Sequence, residues 1–110
     1  MGEQDDLRVA RTESLFRDVN ERIAANAERL GATEASFVCE CDDPDCTARV
    51  HATLDEYRRV RADGARFIVV DGHVNCEAER VVDRGRKFAL VEKIKPLVRQ
   101  TVKRLNPRST

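Results

Sequence analysis

The run VCECDDPDCT, residues 38 to 47, puts three of the chain's four cysteines within eight residues. No other stretch restricts the fold as strongly. A disulfide between Cys39 and Cys41 would close a very tight ring of unfavourable geometry. A thioredoxin-like pair needs C-x-x-C at a helix N-terminus, and no such motif is present here. Buried thiols acting as small apolar residues account for one cysteine, but not for three around an acidic, proline-containing turn. A zinc site accounts for most of the pattern, with an iron–sulfur centre as the alternative metal reading. On a strand, residues i and i+2 point to the same side, so Cys39 and Cys41 can grip one ion while Pro44 stiffens the loop returning Cys46. The fourth ligand must come from elsewhere, and GHVNC offers His73 and Cys76. His73 follows the Asp71-Gly72 turn at the end of a strong strand, so placement favours it. A fourth thiolate binds zinc well, which keeps Cys76 as the alternative.

Composition explains why a staple is needed. A chain of 110 residues with 41% hydrophobic, 36% charged and only 5% aromatic residues is expected to fold as one domain, 1–110, around a thin core. Small domains of this kind often rely on a structural metal. The opening MGEQDDLRVARTES has no apolar signal-peptide core, and no run approaches the length needed to span a bilayer. The expected location is cytoplasmic, where thiols stay reduced and favour metal over disulfides.

Along the chain, residues 1–11 are polar and expected to fray, as are 106–110. Phe16, Val19, Ile23, Ala27 and Leu30 recur at helical spacing and share one face, predicting a helix over 12–30 capped by Thr12 or Ser14 and ended at Gly31. Phe37-Val38 and TARVHATL read as two strands of a hairpin with the cysteine loop at its tip. His51 lies opposite that second strand's apolar face and reads as a surface histidine. Thr53-Leu54-Asp55-Glu56 has capping-box spacing and opens a short helix through about Ala62. RFIVV, residues 66–70, is expected to be a central strand. Residues 78–92 suggest two strands joined at Arg84-Gly85. A last helix is expected from Pro96, with Leu97, Val98, Val102 and Leu105 on one face. The fold class expected is α+β: a small antiparallel sheet with an N-terminal amphipathic helix, a short middle helix and a C-terminal helix, stapled by one structural zinc.

The ordered series FRDVNERI, FVCECDDPDC, LDEYRRVR, RFIVVDGH, ERVV and LVEK resembles a group of small, uncharacterised actinobacterial proteins. Their shared pattern is F-x-x-V-N-E-x-I, C-E-C-x4-C, E-Y-x-x-V-R, R-F-x-V-x-P-G-H and a closing V-V-E-K-like strand. The resemblance covers about residues 15 to 93 of this chain. It implies that Cys39, Cys41, Cys46 and His73 are the metal-ligand set. The chain departs from the pattern at Asp71, where proline is usual, and at Cys76, which looks peculiar to it. The resemblance implies no activity.

Three thiolates and one imidazole would fill a tetrahedral shell, leaving no open position for catalysis. The deaminase pattern H-x-E…P-C-x-x-C is not met, and HExxH, GxSxG and a P-loop are absent. Glu40, Asp42, Asp43 and Asp45 lack EF-hand order and read as solvated turn acids. No catalytic residues are expected, and no small-molecule substrate or membrane partner is evident. Charge is uneven: residues 1–48 carry 5 basic and 12 acidic side chains, residues 49–110 carry 15 and 8. Arg58, Arg59 and Arg61, with Lys93, Lys95, Arg99, Lys103 and Arg104, form the expected basic surface. The reading that follows is a zinc (Zn2+) domain acting as a regulatory or adaptor module for a protein partner, with nucleic-acid or ribosome binding through the basic half as the alternative and a zinc enzyme as a weaker one.

Overall fold

The computed structural model describes residues 2–74, 79–85 and 88–108. The elements run α1 (Gly2–Arg29), β1 (Glu34–Val38), β2 (Arg49–Thr53), α2 (Leu54–Arg61), β3 (Arg66–Val70), β4 (Glu79–Gly85), β5 (Phe88–Lys93) and α3 (Pro96–Arg104). This is the α+β class with two small antiparallel sheets. β1 and β2 form the expected hairpin, and a second sheet has the order β3-β5-β4. RFIVV therefore flanks its sheet, and FALVEK (β5), buried at every position, is the central strand. The outer side of β3 is still engaged: Glu40 N–H donates to the Ile68 carbonyl at 2.8 Å, just beyond the end of β1. β4 runs through Arg84 and Gly85 rather than turning there, and the connection at 86–87 lies outside the described residues.

Several boundaries follow directly from local chemistry. Thr53 caps α2 with the expected box: its hydroxyl accepts from Glu56 N–H, and Glu56 returns a bond to Thr53 N–H. Gly31, at φ 76°, ends α1, with Ala32 N–H donating to the Ala27 carbonyl at 2.9 Å. Pro96 opens α3 as expected, and Val98 and Val102 are buried; Leu105, expected on the same face, is exposed.

α1 departs most from expectation. It begins at Gly2, not Thr12, and Ala10 is fully buried, so residues 2–11 are part of a packed helix. Asp6 meets Lys95 at 3.5 Å. Residues 106–108 are also tied down: Asn106 accepts from Arg61, and Arg108 pairs with Glu21 at 2.9 Å. The shared apolar face of α1 is only in part its buried face: Ile23 and Ala27 pack against the core around Phe37 and Tyr57, but its two other aliphatic members do not. Leu30 is 74% exposed and Val19 37%, whereas Glu13, Ser14, Arg17 and Asn20 are buried.

The reason lies in what the rest of the chain presents to α1. Arg17 donates to the carbonyls of Gly64 at 2.8 Å and Val102 at 2.7 Å, the latter in the last turn of α3 where carbonyls lack helical partners. Its guanidinium lies 4.8 Å from the centre of the Phe67 ring. Burial lowers its pKa to about 10, which leaves it charged at neutral pH. Lys93, at the end of β5, sits between the carboxylates of Glu13 and Glu79. Two apolar clusters fill the space around these groups. One runs from Cys39 and Cys41 through Phe67, Val69 and Val91 to Val102, the other from Phe37 and Tyr57 through Ile68 to Leu90. Phe37 and Tyr57 stack with ring centres 4.5 Å apart.

Candidate metal centre

Cys39, Cys41, Cys46 and His73 converge at the hairpin tip, with their ligand atoms all within 4.8 Å of one another. Each is delivered by a separate local device. Cys39 extends the β1–β2 ladder by one step, its N–H donating to the Ala48 carbonyl at 3.1 Å. The DDPD turn closes as its composition predicts: Asp43 Oδ1 accepts from Asp45 N–H at 2.9 Å, and the Asp43 carbonyl accepts from Cys46 N–H at 3.1 Å, with Pro44 between them. On the far side, His73 N–H donates to the Val70 carbonyl at 2.9 Å across Asp71-Gly72. Gly72 has φ 96°, which the third position of a type II turn requires and a side chain resists. This turn sets His73 against the cysteines.

The distances fit a single zinc. With Zn–S of about 2.3 Å and Zn–N of about 2.0–2.1 Å, a tetrahedral shell separates sulfur from nitrogen by about 3.6 Å. His73 Nδ1 lies 3.5 Å from Cys39 Sγ and 3.7 Å from Cys46 Sγ. The residues are thus close enough to hold one metal ion, with Nδ1 as the imidazole donor.

The surroundings suit thiolates bound to a cation. Burial pushes the Cys39 and Cys41 thiols up, opposed by backbone N–H groups of Val70 and Asp43 that donate to the sulfurs. The Val70 N–H reaches Cys39 Sγ at 3.2 Å. A divalent ion would offset the cost that burial puts on ionising these sulfurs, and the amides orient them. Cys39 and Cys41 are buried, Cys46 is half-buried and His73 is exposed, so the centre opens to solvent on one side. Cys76 lies outside the described residues.

Glu40 was expected among the solvated turn acids and is instead fully buried. It lies between two ligands and points away from them, as strand alternation requires. Its carboxylate accepts from Ile68 N–H at 2.9 Å and from Asn20 Nδ2 at 2.8 Å. Burial raises its pKa to about 7, opposed by the Asn20 and Ile68 hydrogen bonds. Asn20 also donates to the Val38 carbonyl and accepts from Val38 N–H, each at 2.8 Å. A helix residue and a loop carboxylate therefore lock the ligand loop against α1 and β3. The signal for Glu40 was present in C-E-C, because the middle residue of such a triplet must face the opposite side. Asn20 carried no comparable signal.

The expected basic surface breaks up. Arg61 is buried, with Nε 2.7 Å from Glu21. Lys93 is wholly buried between two carboxylates. Arg99 donates to the Lys93 carbonyl at 3.1 Å, Arg58 pairs with Asp55 at 2.7 Å and Arg59 with Asp83 at 3.0 Å. Arg61 and Lys93 pair with acids of the N-terminal half, and Arg58 and Arg59 with acids of their own half, which is why an uneven sequence does not give a uniformly basic face. Lys103 and Arg104 remain exposed, and His51 is exposed as expected. Among the described residues, no helix is long and apolar enough to cross a membrane. No family model, curated protein or solved structure matches the chain.

Proposed function

We propose that this is a structural-zinc domain that works as a protein-interaction module. The observation carrying the reading is the Cys39–Cys41–Cys46–His73 cluster, whose sulfur–nitrogen separations of 3.5 and 3.7 Å match a closed tetrahedral shell. Three thiolates more than offset the charge of a divalent ion and make it a poor Lewis acid, and the fourth position is filled by imidazole. Such a centre supplies folding energy rather than a reactive water. The ion pairs that take up Arg58, Arg59, Arg61, Lys93 and Arg99 break up the continuous basic surface a phosphate backbone would need, which favours a protein partner over nucleic acid.

The test has two arms. Elemental analysis after chelator-free purification is expected to give about one zinc per chain. Iron with visible absorption would point to a cluster instead, and absence of stoichiometric metal would falsify the zinc reading. In the second arm, zinc-loaded protein is cross-linked in native lysate. Retention of a defined protein, with no mobility shift of labelled DNA or RNA at moderate salt, supports the interaction role. A nucleic-acid shift with a steep salt slope and no retained protein overturns it.

A further inference from the structure

Three acids of the N-terminal half turn inward: Glu13 meets Lys93, Glu21 meets Arg61 and Arg108, and Glu40 is enclosed. One outward stripe of α1 carries cations and aliphatics, while the exposed Glu28 lies on another side of the helix, 3.6 Å from Arg58. Arg11, Leu15, Val19, Arg22, Arg29 and Leu30 are all exposed and follow one stripe of the helix. Leu15 is 63% and Leu30 74% exposed. Arg11 and Arg22 form no ion pair among the described residues, and Arg29 donates to Asn26 on the same face. Among the described residues of α1, the acidic side chain bordering the middle of the stripe is Asp18, half-buried at its edge. A shallow depression of about 670 Å³ follows the helix from Val19 to Arg29.

The chemistry selects one occupant. From Arg11 to Arg29 the stripe spans about 27 Å at the helical rise, the length of a helical segment rather than of a small molecule. A second copy packed face to face would set arginine against arginine. A lipid surface calls for a broad apolar face with aromatic anchors, whereas here Arg22 and Asn26 interrupt the exposed aliphatics. A nucleic-acid strand would run its phosphates along a midline held by Leu15 and Val19, with no exposed aromatic to stack a base. We propose that the outward face of α1 docks an acidic amphipathic helix of a partner protein. Leucine-like side chains would pack on Leu15, Val19 and Leu30, and carboxylates would flank them against Arg11, Arg22 and Arg29. This deepens the interaction reading above and does not depend on the identity of the metal.

The probe is a fluorescein-labelled peptide with leucines at coiled-coil a and d positions and glutamates elsewhere, titrated by anisotropy into the full, metal-loaded chain. Saturable binding is expected, weakened about tenfold by Arg11→Glu with Arg22→Glu, since two attractions become two repulsions. Zinc content and far-UV circular dichroism report that the variant is folded; should helicity fall, Arg11→Gln with Arg22→Gln reads the same loss at about threefold. Lys103→Glu with Arg104→Glu on α3 is expected to change binding less than about twofold. Equal loss in that control would reduce the effect to overall charge and overturn the assignment to α1. So would equal binding of a lysine/leucine peptide, or tighter binding of anionic vesicles or duplex DNA than of the acidic peptide. Failure of wild-type protein to bind the peptide removes this face alone; the interaction reading falls only if the cross-linking arm also retains no protein.

Discussion

The tip of the β1–β2 hairpin and the inner face of α1 both bury polar chemistry, but they settle it in opposite ways. At the tip, three thiols and an imidazole face one another, their ligand atoms all within 4.8 Å. Along α1, Glu13, Arg17 and Glu21 meet Lys93, two backbone carbonyls and Arg61, so each charge is met by another segment of the same protein. On the metal reading proposed above, the first site would be completed from outside and its stability would follow metal supply. The second is complete within the chain and its stability follows proton supply. Asn20 links them, sitting one turn after Arg17 on the same helix and bonding the ligand loop at Val38 and Glu40.

The largest effect is expected where nothing in the chain can substitute for the missing partner. Cys39→Ser or Cys41→Ser is expected to abolish cooperative melting or to lower the melting temperature severely, together with loss of metal. Structural zinc in small sites contributes about 10 kcal/mol or more. Wild-type melting temperatures in these variants, measured by calorimetry on protein purified without chelator, would place both hubs on the same footing and dissolve the contrast.

Next comes the ionic hub. Lys93→Ala would leave the Glu13 and Glu79 carboxylates facing each other in the interior, with an expected loss of about 3–5 kcal/mol by urea denaturation of metal-loaded protein. Replacing the three charges together with apolar residues of similar size is expected to be nearly neutral. A single-mutant loss below about 1 kcal/mol would mean that water reaches the triad.

These two hubs were unequally legible in the sequence. Cys39, Cys41 and Cys46 announced themselves because three thiols in eight residues admit few explanations, while His73 rested on its placement after the Asp71-Gly72 turn with Cys76 as the alternative. The turns that place them were equally readable, since Pro44 and Gly72 restrict the backbone in known ways. Glu13, Arg17, Arg61 and Lys93 were not, because a charged residue at helical or strand spacing reads as solvent-facing until its partner is known. Each partner lies far along the chain, Lys93 being 80 residues from Glu13. The same blindness put the buried face of α1 wholly on its apolar stripe and counted Arg61 and Lys93, which are ion-paired inside, in a basic surface. The position of β3 at the flank of its sheet was illegible for another reason: RFIVV is buried because the cysteine loop covers its outer side, a contact that periodicity does not encode.

Asn20→Ala probes the link between hubs. It strands the Val38 amide and carbonyl and one oxygen of Glu40, so the expected cost is about 1–3 kcal/mol. It should also weaken metal binding about tenfold or more, because the groups that orient ligands are removed while the ligands stay. A competitive zinc titration at fixed neutral pH reads this. Loss of stability with unchanged zinc affinity would show that the loop is held by β3 alone.

The smallest effect at neutral pH is expected from Glu13→Gln, and it separates proton supply from metal supply. Burial raises the Glu13 pKa from 4.5 to about 8, against the pull of Lys93, with Glu79 and Asp42 pushing the same way as burial. The folded state therefore holds a proton that the unfolded state releases between these values. Stability from this group is fully present below about pH 4.5 and is lost as pH rises through about 8. Glutamine resembles the protonated form and cannot ionise, so the variant should gain on wild type as pH climbs from 5 to 9. Reading the difference between the two proteins at saturating zinc cancels the titration of the cysteine ligands, which strengthens metal binding as pH rises and acts on both alike. A difference that grows toward high pH identifies Glu13 as the group. A flat difference would mean that Lys93 holds Glu13 ionised throughout, and the ionic hub would then carry full charge rather than a shared proton.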